Sequence, residues 1–210
     1  MIPELNPVEA RILGCLIEKD LTTPEYYPLS LNALLNACNQ KSSREPVVNF
    51  DESTVDQGCD SLRAKGLVLV HSGSRATKYS HRLSERLNLG RRELPLLCVL
   101  LLRGPQTLGE LRTRTERMRE FNDLDEVERA LLHLADLESG AMTMRMLPQP
   151  GMKEQRWTHL FCGEPSPDAV IAPLPINDGR PDRIALLENE VTALRQEIDW
   201  IKQKLSDLLN

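Results

Sequence analysis

The chain has 210 residues, 40% apolar and 27% charged, with a formal net charge of −5. It is long enough for one or two buried cores and reads as globular and soluble. The longest apolar run, Leu94–Leu102, is half of the ~18 residues a membrane span needs, so no membrane partner is expected.

Residues 1–86 open with Asn6 as N-cap, Pro7 at the first helical position and Glu9 three residues after the cap. Ile12, Leu13, Leu16 and Ile17 then mark an amphipathic helix ending near Asp20. After the turn-rich "TTPEYYP", Ser30 caps a second helix with Leu31, Leu34, Leu35 and Cys38 inside it. That helix runs into "NQKSSREP", a dense polar stretch expected to be an ordered loop. Asn39 should help end the helix, Pro46 should fix the exit, and Lys41, Ser43 and Arg44 should point outward. The competing expectation is that Asn39, Gln40 and Arg44 hydrogen-bond the chain's own backbone. Asp51 caps a third helix through Val55, Cys59 and Leu62 to Gly66. "LVLVHS", Gly73–Ser74 and "RATKYSH" then read as a β-hairpin.

Residues 87–163 repeat this order. Leu94–Leu102 is a helix core stopped by Gly104–Pro105. Thr107 caps "LGELRTRTERM", and Asp123 caps "LDEVERALLHLADLE", with Glu126 placed for a capping box. "AMTMRML" and "RWTHLF" flank the turn "PQPGMKEQ". Both third helices start at Asp, share an apolar stripe and lead into Gly and a strand. The fold class expected is α+β, mainly helical: two tandem winged helix-turn-helix domains followed by a C-terminal coiled-coil helix.

Residues 164–182 are a proline-rich linker, and residues 183–210 carry regular heptads. Ile184, Val191, Ile198 and Leu205 occupy a, while Leu187, Leu194, Ile201 and Leu208 occupy d. Mostly β-branched a positions with mostly Leu at d favour a parallel pair. In that arrangement Arg183 meets Glu188, Glu190 meets Arg195 and Glu197 meets Lys202, all of opposite sign. A parallel homodimer through these eight residues is expected, against the alternative that the helix folds back on its own chain.

Two stretches, "TTPEYYPLSLNALLNACNQKSSREPV" and "LLLRGPQTLGELRTRTERM", resemble the hallmark segments of the YceH family of uncharacterised bacterial proteins, and the similarity runs over nearly the whole chain. The resemblance implies tandem winged helices and no assigned activity, and it carries over no functional residues.

The residues themselves offer no catalytic constellation, cofactor or metal. "GSRATKYS" lacks the second Gly of a phosphate loop and lies in a hairpin. Cys15, Cys38, Cys59, Cys98 and Cys162 are scattered without a C-x-x-C, which argues for reduced, buried thiols in a cytoplasmic protein. "MIPELNPVEAR" lacks a basic start and an apolar signal core, so export is not expected. His71, His81, His133 and His159 lack metal spacing and read as surface residues, and Trp157 as core or interface.

The function expected is a DNA-binding or transcription-regulator-like module without catalysis. Double-stranded DNA is the usual partner of a winged helix, and Lys41, Ser43, Arg44, Arg75 and Lys78 occupy positions from which such units touch phosphate. Against it, the third helices begin with Asp51, Glu52, Asp56 and Asp60, and with Asp123, Asp125, Glu126 and Glu128, where phosphate would have to approach. Residues 1–86, 87–163 and 164–210 carry net charges of −1, 0 and −4, without the usual basic excess. Arg112, Arg114, Arg117 and Arg119 read as an ion-paired face through Glu110–Arg114 and Arg112–Glu116. A protein-interaction scaffold with acidic third helices is the alternative.

Overall fold

The computed structural model describes residues 2–72, 77–147 and 154–164. Arg75, the proline-rich segment after Glu164 and the heptad residues 183–210 lie outside the described residues. Within them the chain is α+β, with seven α-helices and five short strands in two antiparallel sheets.

Helix α1 spans Pro7–Thr22. Asn6 Oδ1 accepts from the Glu9 amide at 2.9 Å, and Glu9 Oε2 accepts from the Asn6 amide at 2.7 Å, closing the expected capping box. The helix runs two residues beyond Asp20, where the Thr22 and Thr23 hydroxyls donate to the Glu18 and Lys19 carbonyls. A 3-10 turn at Pro24–Tyr26 and a two-residue strand β1, Leu29–Ser30, follow; both are too short for a periodicity to reveal. Helix α2 is Leu31–Cys38 and helix α3 is Glu52–Ala64, capped by Ser30 and Asp51 as expected. Gly66, at φ +72°, turns the chain out of α3 in a conformation that would strain a side chain. Strands β2 (Val68–Ser72) and β3 (Thr77–His81) pair, and β1 adds to β3, so Leu29, Tyr79 and Val70 lie side by side in the order β1–β3–β2. A short helix α4, Leu83–Leu87, leads out.

The second half has the same plan. Helices α5 (Glu93–Arg103), α6 (Leu108–Thr115) and α7 (Leu124–Ala135) precede strands β4 (Thr143–Arg145) and β5 (Trp157–His159). Gln106 exchanges both backbone hydrogen bonds with Trp157, so Gln106, Trp157 and Arg145 stand in the relation of Leu29, Tyr79 and Val70. At α7 the cap differs from expectation. Asp123 accepts from the Glu126 amide, but the Glu126 carboxylate accepts from the Asn122 amide at 3.0 Å and from Arg119 at 3.0 Å. The nearby guanidinium draws it one residue further back than a capping box places it.

Helix α5 is apolar on every face, as suits a helix buried all round. Leu97, Cys98 and Leu101 pack into a core with α1, α2 and α3, while Leu96, Val99 and Leu100 pack with Leu111, Phe121, Val127, Leu131 and Trp157 of its own half. The N-terminal arm also crosses over: the Leu5 amide donates to the Phe161 carbonyl at 2.6 Å. The halves therefore share a core and form one compact unit.

At Gly14, α1 lies close against α5. A Cβ there would sit 2.8 Å from Leu102 Cδ2 and 3.2 Å from Leu101 Cβ, and Cys98 Sγ donates to the Gly14 carbonyl at 3.4 Å. Gly14→Val should lower unfolding free energy by about 1–3 kcal/mol through overpacking, seen as a lower denaturant midpoint with an unchanged slope; an unchanged midpoint would show that the contact is loose.

The four histidines divide. His71 and His133 are exposed, as expected. The His81 side chain is 3% exposed, its Nε2 lying 3.2 Å from Asp20, and His159 is half-buried with its Nδ1 shielded and unpartnered, so these two depart from the surface reading. The hairpins turn them against the helices. Burial pushes His159 down from 6.5 to about 4. The unfolded chain takes up a proton in that window while the folded chain does not, so stability present above pH 6.5 falls as pH drops toward 4. His159→Phe should flatten that fall in denaturation experiments across the same window; a profile matching the parent's would remove His159 as its source.

Candidate functional site

The stretch Asn39–Phe50 is organised around the C-terminus of α2. A helix leaves its last carbonyls without partners, and two buried arginines supply them here. Arg44 Nε donates to the Ala37 carbonyl at 3.1 Å, and Arg11 Nη1 to the Cys38 carbonyl at 3.4 Å. Positive charge at a helix C-terminus also complements its dipole. Arg44 then grips Glu18 with both terminal nitrogens, Nη1–Oε1 at 3.0 Å and Nη2–Oε2 at 2.6 Å, and donates to Gln40 Oε1 at 2.9 Å and the Ser43 carbonyl at 2.9 Å. Burial disfavours the charged guanidinium, but the Glu18 bonds outweigh it and hold the Arg44 pKa above its ordinary value. Asn39 pairs with both backbone groups of Phe50 at 2.8 Å, and the Glu45 amide donates to the Leu102 carbonyl at 2.8 Å, capping α5.

The expected site residues therefore part company. Lys41 and Ser43 are exposed, Ser43 at φ +60°. Arg44 does not point outward; its side chain is 0% exposed because its donors are taken up by Glu18, Gln40 and helix carbonyls. The competing expectation, that Asn39, Gln40 and Arg44 hold the chain's own structure, describes all three. Lys78 is exposed on β3, opposite Ser30 at the start of α2, whereas Lys41 follows its end. The two lysines thus belong to opposite ends of α2, a helix about 12 Å long.

Glu18 and Arg11 were not singled out in the sequence. Their signal was a polar residue on either side of Cys15 at helical spacing, 11–15–18, on a helix otherwise buried from Glu9 to Ile17.

The outer face of α3 carries exposed Glu52, Asp56, Gln57 and Asp60. The Ser53 hydroxyl is turned onto Asp51 at 3.1 Å, and Asp60 pairs with Arg63 at 3.1 Å. Tyr79 Oη donates to Asp56 at 3.2 Å; burial first, then this hydrogen bond, pushes the phenol up to about 12. In the second half, Arg114 pairs with Glu110 at 3.3 Å as expected, but Arg112 bonds the Phe121 and Asn122 carbonyls instead of Glu116. Arg119 and Arg156 pair with Glu126 and Glu110, each at 3.0 Å. Internal contacts thus occupy much of the positive charge.

Cys15, Cys38, Cys59 and Cys98 are buried free thiols, and Cys162 is an exposed one. Trp157 is 2% exposed and belongs to the core. Among the described residues no group of three or more His, Cys, Asp or Glu side chains is arranged to hold a metal, and no helix is long and apolar enough to cross a membrane.

This sequence matches a family model described as a protein of unknown function, DUF480, over residues 5–152. The chain belongs to this family. It is similar to a UPF0502 protein of Solibacter usitatus, 50% identical over 203 residues and covering 95% of this chain and 97% of that protein. A UPF0502 protein of Pelobacter propionicus is 51% identical over 210 residues, covering 97% and 95%, and one of Vibrio parahaemolyticus is 47% identical over 213 residues, covering 99% of each. The similarity expected from "NQKSSREP" and its surroundings is thus to a family of uncharacterised proteins, spanning nearly the whole chain.

Arg44→Ala should lower stability by about 3 kcal/mol, because Glu18 loses the cation that offsets its partial burial, whereas Lys41→Ala should stay within about 0.5 kcal/mol. Chemical denaturation of both variants checks this; equal small effects would make the fork dispensable.

Proposed function

We propose that residues 1–86 and 87–163 are two winged helix-turn-helix units of a non-catalytic, cytoplasmic interaction module, and that their third helices, α3 and α7, bind protein. Supporting the fold reading, each half runs helix, helix, helix, hairpin, and in each a residue just before the second helix adds to the hairpin. One observation carries the partner reading. The α3 face that a winged helix turns toward the major groove displays Glu52, Asp56 and Asp60. Lys and Arg neutralising phosphate drive most duplex binding, and here Arg44, Arg112, Arg114 and Arg119 are engaged within the chain. The heptads of residues 183–210 support a parallel homodimer, which would present these faces in duplicate.

Duplex DNA is the second reading, favoured by exposed Lys41 and Lys78. Titration with mixed-sequence duplex at about 50 and 200 mM salt separates the two. We expect no saturable binding at the higher salt, and loss of a partner recovered from cell extract when Asp56 and Asp60 are both changed to Lys with the melting curve unchanged. Saturable DNA binding at the higher salt, with a salt slope reduced by about 2 in a Lys41→Ala/Lys78→Ala variant, would overturn the protein reading.

A further inference from the structure

Because α3 and α7 both start from an Asp whose carboxylate accepts the amide three residues on, their faces can be compared position by position from the cap. Glu52, Asp56 and Asp60 correspond to Leu124, Glu128 and Leu132. The outer stripe is therefore all acidic in the first half and Leu–Glu–Leu in the second, where Leu124 is 43% and Leu132 48% exposed. Single exposed leucines need no explanation. These two share one helix face, and Leu124 borders a cleft.

The sheets match in the same way, Tyr79 standing where Trp157 stands. In the first half the Tyr79 hydroxyl reaches α3 at Asp56. In the second, the corresponding ground is a cleft of about 570 Å³ among Leu108, Gly109, Leu124, Glu128, Arg145 and Trp157. A cleft of that volume, mostly apolar with a few polar groups, is of the kind that takes a ligand side chain. Gly109 adds an independent sign. It is exposed in the first turn of α6, and a Cβ there would meet only Thr107 Oγ1, at 3.9 Å. The fold would accept alanine, and glycine costs a helix about 0.5–1 kcal/mol by comparison. The open space at Gly109 leaves room for close approach by another backbone.

Charge narrows the occupant. Among the described residues Arg145 is the cation lining the cleft, and it is turned inward: it pairs with Glu128 and lies 5.2 Å from the centre of the Trp157 ring. Glu154 on the rim and Asp125 beside Leu124 are exposed carboxylates. Among the described residues the lining combines Leu108, Leu124 and the Arg145-covered Trp157 ring with the exposed carboxylate of Glu154 and the side chain of Gln155.

We propose that this cleft docks a peptide segment of a partner protein that presents an aliphatic side chain next to a lysine or arginine. This rests on the reading of α7 as a protein-binding helix and gives it a pocket and a ligand chemistry. The aliphatic group would sit between Leu108 and Leu124, beside the Arg145-covered Trp157 ring, with the basic group at Glu154.

The test uses the full chain, isotope-labelled and carrying Trp200→Phe so that Trp157 supplies the one indole signal. Three short synthetic peptides serve as probes: one alternating leucine and lysine in a polar background, one with its leucines changed to serine, and one with its lysines changed to glutamate. The leucine–lysine peptide should shift the Trp157 indole and the Gly109 amide saturably. The other two should bind at least about tenfold more weakly, a difference of roughly 1.4 kcal/mol. Leu124→Ser, which removes an exposed side chain, should lower affinity for the first peptide by a similar factor with an unchanged melting curve.

Equal binding of the serine peptide, indifference to Leu124→Ser, or absence of any shift at Trp157 would overturn the proposal. So would a change in molar mass caused by Leu124→Ser without peptide binding, which would assign the surface to a second copy of the chain. If the peptides fail while the Asp56/Asp60 reversal still loses its partner, the cleft proposal alone falls; saturable duplex binding at the higher salt would instead remove the reading beneath it.

Discussion

The rest of the structure depends on α5 having no polar face. A helix of eleven residues that is apolar all round must be covered on every side, and neither half does this alone. The first half covers one side with α1, and α6, α7 and β5 cover the other. Gly14 permits the close approach, since any side chain there would collide with Leu101 and Leu102. Two units of similar plan are thereby held as one body, and the N-terminal arm tightens the join through Leu5 and Phe161.

The same contact accounts for the polar stretch after α2. Where α2 and α5 end near α1, two helices have terminal carbonyls to satisfy. The loop meets that demand with Arg44 and, through its fold, with the Glu45 amide, while α1 contributes Arg11 and Glu18. A buried arginine needs a carboxylate, and a bidentate pair holds both geometries at once. Density of polar residues was a poor guide to accessibility: within four residues the loop passes from exposed Lys41 to buried Arg44.

The sequence was most legible where local rules act. Every helix whose cap was identified starts at that cap, because a side chain satisfying an amide three residues on is a local matter. Gly66 and Gly104 end their helices at positive φ. What escaped was set by partners far along the chain. Glu18 meets Arg44 across 26 residues, and β1 is a strand only because β3 lies beside it. His81 and His159 looked like surface residues because strand alternation alone does not say which face a helix will cover. The capping box at Glu126 gave way to Asn122 and Arg119, side-chain competition that spacing cannot rank.

Comparison of the halves shows where constraint relaxes. The two sheets share a register, the second and third helices share cap chemistry, and the inward positions of α3 and α7 are apolar in both. Packing requires those features, and they persist despite little identity between the halves. The outward stripe is subject to no such requirement, and it differs at two of its three positions: three carboxylates on α3, two leucines about a carboxylate on α7. Had both faces been merely solvated, polar residues would have served at Leu124 and Leu132 with no loss to the core, since neither side chain is buried. Exposed leucine is tolerated by folding but not demanded by it. The divergence therefore lies where the fold makes no demand, on the surface the two halves leave to solvent, and not in the packing that joins them.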